Sequence, residues 1–168
     1  MRPPARYGQP TRILPRANLL GLAIVVTAAT FVVAELDHKI GPNLASGAIV
    51  MISSRDLASP DPAHVIDGDA SLFAFHTRAE QNPWVLLDLR REKVVRHIIV
   101  YNRLDCCRER AVPLVLKVSH DSQNFTEVAR MNEPFGKWDA EVPLQSTRFI
   151  RAELQKFGIL YLNEIEVR

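Results

Sequence analysis

The series of short apolar or alternating runs after residue 43 most constrains the fold of this chain. Turn-favouring residues separate the runs, and several prolines lie between or beside them, where a missing backbone donor does little harm. Beyond residue 43 the sequence has no long stretch with the 3.6-residue periodicity of a helix. Short strands at such spacing are typical of an antiparallel β-sandwich. The predicted strands are Ala48–Ile52, Val85–Leu89, Val94–Tyr101, Leu114–Ser119, Phe125–Ala129, Phe149–Leu154 and Leu160–Val167.

The first 42 residues differ in composition from the rest. Residues 1–18 contain four arginines and no acid, so their net charge is +4. The whole chain has a net charge of +2, so the remainder carries 2 − 4 = −2. A body so close to neutral argues against a nucleic-acid partner. Residues 19–36 contain the uncharged apolar run Leu19–Ala34, which predicts either a cleaved secretory signal, with Val32 and Ala34 suited to a cleavage site, or an uncleaved membrane anchor.

Either interpretation of this segment places the rest of the chain outside the cytoplasm, secreted or anchored to the membrane. Residues 37–42 read as a linker that ends in the turn-favouring pair Gly41-Pro42, and residues 43–168 as one domain. A domain of this length can bury a core of its own.

Residues 102–110 concentrate the candidate binding chemistry. This stretch, Asn-Arg-Leu-Asp-Cys-Cys-Arg-Glu-Arg, follows a predicted strand. If the chain turns between Arg103 and Arg110, both guanidinium groups can point into one concavity and donate to pairs of ligand oxygens. Asp105 can accept from one of them and fix its direction. The alternative is a surface cluster of salt bridges, each contributing about 0–1 kcal/mol.

Cys106 and Cys107 are the only cysteines of the chain, and they are adjacent. A disulfide between neighbours closes a very small ring, so it adds little loop-closure stability and would act locally by stiffening the turn. Two other interpretations stay open. The pair can be free thiols packed as small apolar groups, or metal ligands that lack the usual spacing of a zinc site.

The spacing of four residues resembles a known family. His76 lies 27 positions before Arg103, and Arg103-x-Asp105-x4-Arg110 completes the pattern His-x26-Arg-x-Asp-x4-Arg. This pattern is similar to the sugar-binding signature of the F-type lectins, the fucose-binding members of the discoidin (coagulation factor type C) superfamily. The adjacent cysteines also occur in that family.

The resemblance to the discoidin superfamily extends over residues 43–167. Ile66-Asp67-Gly68-Asp69 resembles its Asp-Gly-Asn turn, Asn82-Pro83-Trp84 resembles one of its strand openings, and Leu160–Val167 is similar to its closing strand. The resemblance implies a galactose-binding-like, eight-stranded jelly-roll sandwich whose ligands bind in loops at one end.

The resemblance also implies a binding site. His76, Arg103 and Arg110 would donate hydrogen bonds to a deoxy-sugar such as fucose. Phe73 and Phe75 precede the histidine and would cover the methyl face of the sugar, and the Cys106–Cys107 pair would contact another edge.

A calcium ion is the cofactor that the resemblance implies. Asp67 and Glu164 would supply carboxylates, and His64, Asp69 and Asn163 would supply backbone carbonyls, because calcium prefers oxygen ligands. This chain departs from the family in the segment between Asp67 and His76, which is shorter, and in Phe73, which stands where the family has a serine ligand. If calcium is absent, the Asp67-Gly68 turn is explained by a carboxylate that caps its own backbone.

These observations favour a lectin-like carbohydrate-binding module rather than an enzyme, since the chain has no nucleophile motif, phosphate loop or paired-carboxylate signature. A discoidin domain that binds a membrane lipid or a protein partner is the main alternative. An accessory module of a glycan-processing complex in the cell envelope is another. A single sugar site is weak, so we expect a homo-oligomer or other clustering to supply avidity.

Overall fold

The structure is a computed structural model that describes residues 41–168. The predicted basic segment 1–18, the signal or anchor at 19–36 and most of the linker 37–42 lie outside the described residues. Pro42–Arg168 forms one compact unit. No helix within the described range is long and apolar enough to cross a membrane.

Ten β-strands and two 3-10 helices make up this unit. The short helices are Pro62–Ile66 and Arg108–Ala111. In chain order the strands are β1 (Ile49–Ile52), β2 (Phe75–His76), β3 (Glu80–Gln81), β4 (Trp84–Tyr101), β5 (Leu114–Ser119), β6 (Thr126–Met131), β7 (Lys137–Leu154), β8 (Phe157–Gly158), β9 (Tyr161–Leu162) and β10 (Glu164–Val167).

Strand β4 corrects one prediction. Val85–Leu89 and Val94–Tyr101 are not two strands but the two halves of one 18-residue strand. The charged residues between them resemble a turn in the sequence, but they form an irregularity in the pairing of β4 with β7. Arg90 adopts a left-handed backbone conformation there, with φ 67°, and its N–H donates to Asp88 Oδ1 at 2.7 Å. A bulge of this kind bends a strand without ending it.

Two other predicted boundaries differ from the structure. Phe149–Leu154 is only the end of the 18-residue strand β7, whose first half was not predicted. Leu160–Val167 divides into β9 and β10, because Asn163 leaves the first pairing and donates its N–H to the Tyr101 carbonyl at 2.9 Å. The described residues therefore have ten strands rather than eight.

The strands form an all-β sandwich, as predicted. The main sheet has the order β1-β4-β7-β5-β6, and β10 pairs with the second half of β4. The strand pairs β2-β9 and β3-β8 form two small sheets. Buried side chains from both halves of the long strands, such as Leu87 and Ile98, belong to one hydrophobic cluster. Burying a leucine or isoleucine side chain contributes about 1.5–3 kcal/mol, so this cluster holds the two halves together.

Candidate functional site

Asn102 attaches the candidate binding loop to the protein interior. Its side chain is fully buried, and its Nδ2 donates to the backbone carbonyls of Arg108 and Phe135, each at 3.1 Å. Its Oδ1 accepts from the backbone N–H of Arg103 at 2.8 Å. One amide thus fixes both ends of the loop, because every polar atom of a buried amide needs a partner.

Arg103 is held on three sides. Its Nε donates to Asp105 Oδ1 at 2.8 Å, and its Nη2 donates to Asp105 Oδ2 at 2.5 Å. The guanidinium carbon lies 5.5 Å from the centre of the Phe73 ring and 4.9 Å from that of Tyr161. The hydrogen bonds from Arg103 lower the pKa of Asp105 to about 2. The carboxylate is therefore ionised at neutral pH, and the direction of the guanidinium is set before any ligand arrives.

His76 and Arg110 reach the same place from other elements. His76 on β2 is opposite Tyr161 on β9, and its ring lies 6.1 Å from that of Phe73. Arg110, in the second 3-10 helix, directs Nη1 toward the Tyr161 hydroxyl at 3.4 Å. The structure thus brings the four residues of the signature together around Phe73 and Tyr161. Their role in binding a ligand stays a prediction.

Cys106 and Cys107 form a disulfide in the structure. This selects one of the three interpretations that the sequence left open for the pair. Cys107 has φ 62° and precedes the helix Arg108–Ala111. The Cys106 side chain is exposed, so the sulfur surface faces solvent beside Asp105.

The prediction for Phe75 is wrong. Its side chain is 0% exposed and belongs to the hydrophobic core, whereas that of Phe73 is 39% exposed. Consecutive side chains of a strand point to opposite faces, so Phe75 and His76 on β2 cannot face the same ligand. Phe73 is the phenylalanine beside the arginine and histidine of the site.

Tyr161 is the site residue that sequence reasoning missed. It contacts Arg103 with its ring and Arg110 with its hydroxyl, although it lies 58 positions after Arg103 in the chain. It stands between two leucines in the last predicted strand, where it resembles an ordinary core residue. Only the pairing of β9 with β2 reveals its position.

A shallow cavity of about 160 Å³ opens beside the Arg103–Asp105 pair. Phe73, Leu104 and Asp105 are among the residues that line it. Leu72, also in its wall, is 70% exposed. An apolar surface next to a fixed cation suits a ligand that has both a hydrocarbon face and oxygen acceptors.

The predicted calcium ligands Glu164 and Asn163 have unsatisfied oxygens. Glu164 is 1% exposed; its Oε1 accepts from the Gly68 N–H at 3.2 Å, and its Oε2 has no hydrogen-bond partner among the described residues. Asn163 Nδ2 donates to the Ala70 carbonyl at 2.8 Å, while its buried Oδ1 has no partner within the same residues. Burial raises the pKa of Glu164 to about 8, and the charges of Asp67, Glu166 and Asp69 add to this.

The other three predicted ligands lie on the first 3-10 helix and the turn after it, whose Gly68 N–H contacts Glu164. His64 Nδ1 is 2.8 Å from Asp67 Oδ2, and Asp67 Oδ1 accepts from the Asp69 N–H at 2.9 Å. Within residues 41–168, no three His, Cys, Asp or Glu side chains are grouped so that they can hold a metal ion. The predicted ligand set differs from such a group: it consists of two carboxylates plus backbone carbonyls, and calcium prefers oxygen ligands of this kind. The side-chain oxygen of Asn163, rather than only its backbone carbonyl, is available for it.

Comparison with known proteins agrees with this architecture. The family model of the F5/8 type C, NedA-like galactose-binding domain matches residues 64–151, just over half of the chain. The chain therefore belongs to this family, and within the discoidin superfamily it is F-type-lectin-like, as the signature predicted. None of the curated proteins compared with the chain matches it.

Several solved structures share the fold. A Streptococcus pneumoniae fucose binding module is 27% identical with a TM-score of 0.66, over 75% of this chain and 94% of that one. A fucolectin from striped bass (Morone saxatilis) serum is 25% identical with a TM-score of 0.69, over 74% of this chain and 47% of that one. The lectin domain of lectinolysin, solved with Lewis b antigen, is 23% identical with a TM-score of 0.66, over 76% and 96%, and shows likeness of fold.

Proposed function

We propose that this domain is a lectin-like module that binds fucose or a similar deoxy-sugar through His76, Arg103 and Arg110. The observation that carries the proposal is the fixed Arg103, which Asp105 orients and the rings of Phe73 and Tyr161 flank. A donor with a fixed direction can distinguish axial from equatorial hydroxyls, because hydrogen bonds weaken steeply with angle.

The surroundings of the donors suit a sugar that has lost one hydroxyl. Phe73 offers a partly exposed ring to a methyl group, while the two guanidinium groups and the imidazole offer N–H donors to ring and hydroxyl oxygens. The Cys106–Cys107 disulfide presents a further apolar edge. The fucose binding module of S. pneumoniae and the striped bass fucolectin, which share the fold, support this ligand class.

Calcium is part of the proposal. The residues present fit the ion, since Glu164 and Asn163 each leave a buried oxygen without a partner and Asp67 and Asp69 add negative charge nearby. Glu164, Asp67 and the carbonyls of His64, Asp69 and Asn163 would hold it. A bound ion would stabilise the loop that leads to Phe73 and His76.

The domain acts outside the cytoplasm in this proposal, either secreted or held at the membrane by residues 19–36. The disulfide between Cys106 and Cys107 supports this location, because disulfides persist in oxidising compartments. The partners are glycans, and binding rather than catalysis is the activity. Clustering of several copies would supply the avidity that one site lacks.

An Arg110→Ala variant tests the proposal. Hydrogen bonds from a charged donor contribute about 1.5–3 kcal/mol, so the variant is expected to bind a fucosylated glycan roughly 10- to 150-fold more weakly. Glycan-array screening of the full chain, followed by calorimetric titration with the best ligand, measures this loss.

The matched control is Arg91→Ala, which removes an exposed arginine from the bulge of β4. Both variants are expected to melt at the wild-type temperature, because Arg110 is exposed too. An Arg110→Ala protein that binds the glycan as tightly as the control contradicts the proposed site.

One observation favours a second function. Leu72, Phe73 and Leu104 are exposed apolar side chains that line the same shallow cavity. Such a group can insert into a membrane or contact a protein partner. That function would be favoured if the folded protein binds no glycan but sediments with lipid vesicles. The Leu72→Ser variant should then no longer sediment with the vesicles.

A further inference from the structure

A second and larger cavity lies directly beside the candidate sugar site. Its volume is about 280 Å³, and it shares Arg110 and Tyr161 with that site. Another part of its wall comes from the segment around β8 and includes Lys156, Phe157 and Ile159. A ligand unit linked to the sugar beside Arg110 therefore has room to enter this cavity.

The two cations of the cavity lack acidic partners among the residues that the structure describes. Among residues 41–168, no acidic side chain lines the cavity, and none forms a salt bridge with Arg110 or Lys156. Within the described part of the chain, the Lys156 Nζ donates only to the Glu109 backbone carbonyl, at 3.3 Å, and the Arg110 guanidinium only to the Tyr161 hydroxyl, at 3.4 Å. By contrast, Arg103 and Arg148 each face a carboxylate. Two cations at one concavity, with no acidic partner in the described structure, attract an anion.

The remaining wall is apolar. The Phe157 side chain is 66% exposed, and that of Ile159 is partly exposed. Exposed aromatic surface beside cations suits a ring that carries C–H groups on one face and a charged group at its edge. A sugar ring with a carboxylate or sulfate group has both features.

We propose that this cavity is a subsite for an acidic sugar, and that the ligand of the domain is an anionic glycan in which the deoxy-sugar is linked to a unit bearing a carboxylate or sulfate. Arg110 serves both sites, and Lys156 belongs to the acidic subsite. The inference rests on the proposed function of the His76, Arg103 and Arg110 site.

Calorimetric titration of the full chain with three matched ligands tests the inference. Each ligand is an α-fucosyl disaccharide, and its second unit is galactose, galacturonic acid or galactose 6-sulfate. Both acidic ligands, or one of them, are expected to bind at least about tenfold more tightly than the neutral ligand at low salt. The advantage should shrink as salt rises from about 0.05 to 0.5 M, because salt screens exposed charges. The two acidic ligands distinguish a carboxylate from a sulfate.

Variants separate charge recognition from structure. Lys156→Gln is expected to remove most of the preference for the acidic ligand, and Lys156→Arg to restore it. Arg91→Gln removes the same charge from the bulge of β4 and is expected to leave the preference unchanged. Thermal melting shows that each variant is folded.

The possible results point to different conclusions. If the wild type binds all three disaccharides equally, the subsite is refuted and the proposed function stands. If it binds none of them, the proposed function fails and the subsite with it. The acidic-sugar subsite is also refuted if the preference for acidic ligands persists in Lys156→Gln. It is refuted as well if anionic vesicles displace the acidic ligand but do not displace the neutral one.

Discussion

Glu164→Gln is the substitution that tests the calcium site most directly. The carboxylate is buried, with one oxygen on the Gly68 N–H and the other unpaired in the described structure. Glutamine has nearly the same shape and keeps an oxygen for Gly68. However, it cannot lose a proton to become a charged ligand, and it places an NH₂ group where the ion would lie. The core packing is unchanged, so the difference between the two proteins reports on the ion.

The expected effect follows from linkage. At a calcium concentration 100 times its dissociation constant, binding stabilises the folded protein by about 2.7 kcal/mol. A domain of 128 described residues gains roughly 3–5 °C per kcal/mol. The wild-type melting temperature should therefore rise by about 10 °C when calcium replaces chelator. The Gln variant should rise by no more than about 2 °C.

Differential scanning fluorimetry of the full chain, with calcium and with chelator, measures both shifts. Glu133→Gln removes an exposed carboxylate and serves as the control that should keep the full response. If calcium raises the melting temperature of Glu164→Gln as much as that of the wild type, the ion binds somewhere other than at Glu164. An unchanged wild-type melting curve would remove calcium from the proposal.

Two further predictions concern folding and the binding loop. Arg148 donates to both oxygens of Asp88, at 2.8 and 2.9 Å, and these bonds lower the pKa of Asp88. Their stabilisation is present above the unfolded pKa of about 3.9 and is lost as the pH falls further. Asp88→Asn should therefore lower the free energy of unfolding by about 1.5–3 kcal/mol at pH 7. The free energy of unfolding of this variant should also fall less steeply in acid than that of the wild type, as measured by urea unfolding between neutral and acid pH. An equally steep fall in the variant would refute this prediction. Replacing Cys106 and Cys107 by Ser should change the melting temperature by no more than about 2 °C, because the disulfide closes a very small ring. The same double substitution should weaken sugar binding at least about tenfold, since the turn that carries Arg110 loses its restraint. Wild-type affinity in the double variant, measured by calorimetry, would remove the disulfide from the site.

The strand pattern and the four-residue signature were enough to predict much of this protein. Alternating short runs predicted the all-β sandwich, because each strand must bury one face. The spacing from His76 to Arg110 predicted a member of the discoidin superfamily. The match of the F5/8 type C family model to residues 64–151 confirms this prediction. Asp105 was expected to orient an arginine, and the structure places it on Arg103.

Local pattern failed where the outcome depended on distant partners. The charged segment of β4 looks like a turn. However, β4 pairs with β7 both before and after this segment, so the strand continues through it as a bulge. Phe75 and Phe73 look equivalent before His76, yet the pairing of β2 with β9 buries one and leaves the other at the surface.

The finer features of the site arise only in the folded chain. Tyr161 lies between Arg103 and Arg110, Glu164 and Asn163 leave oxygens without partners, and Lys156 joins Arg110 at one cavity. Each depends on elements that are far apart in the chain. A sequence shows which side chains can donate, accept or bury themselves, but strand register decides which of them meet, and burial decides which lose their water.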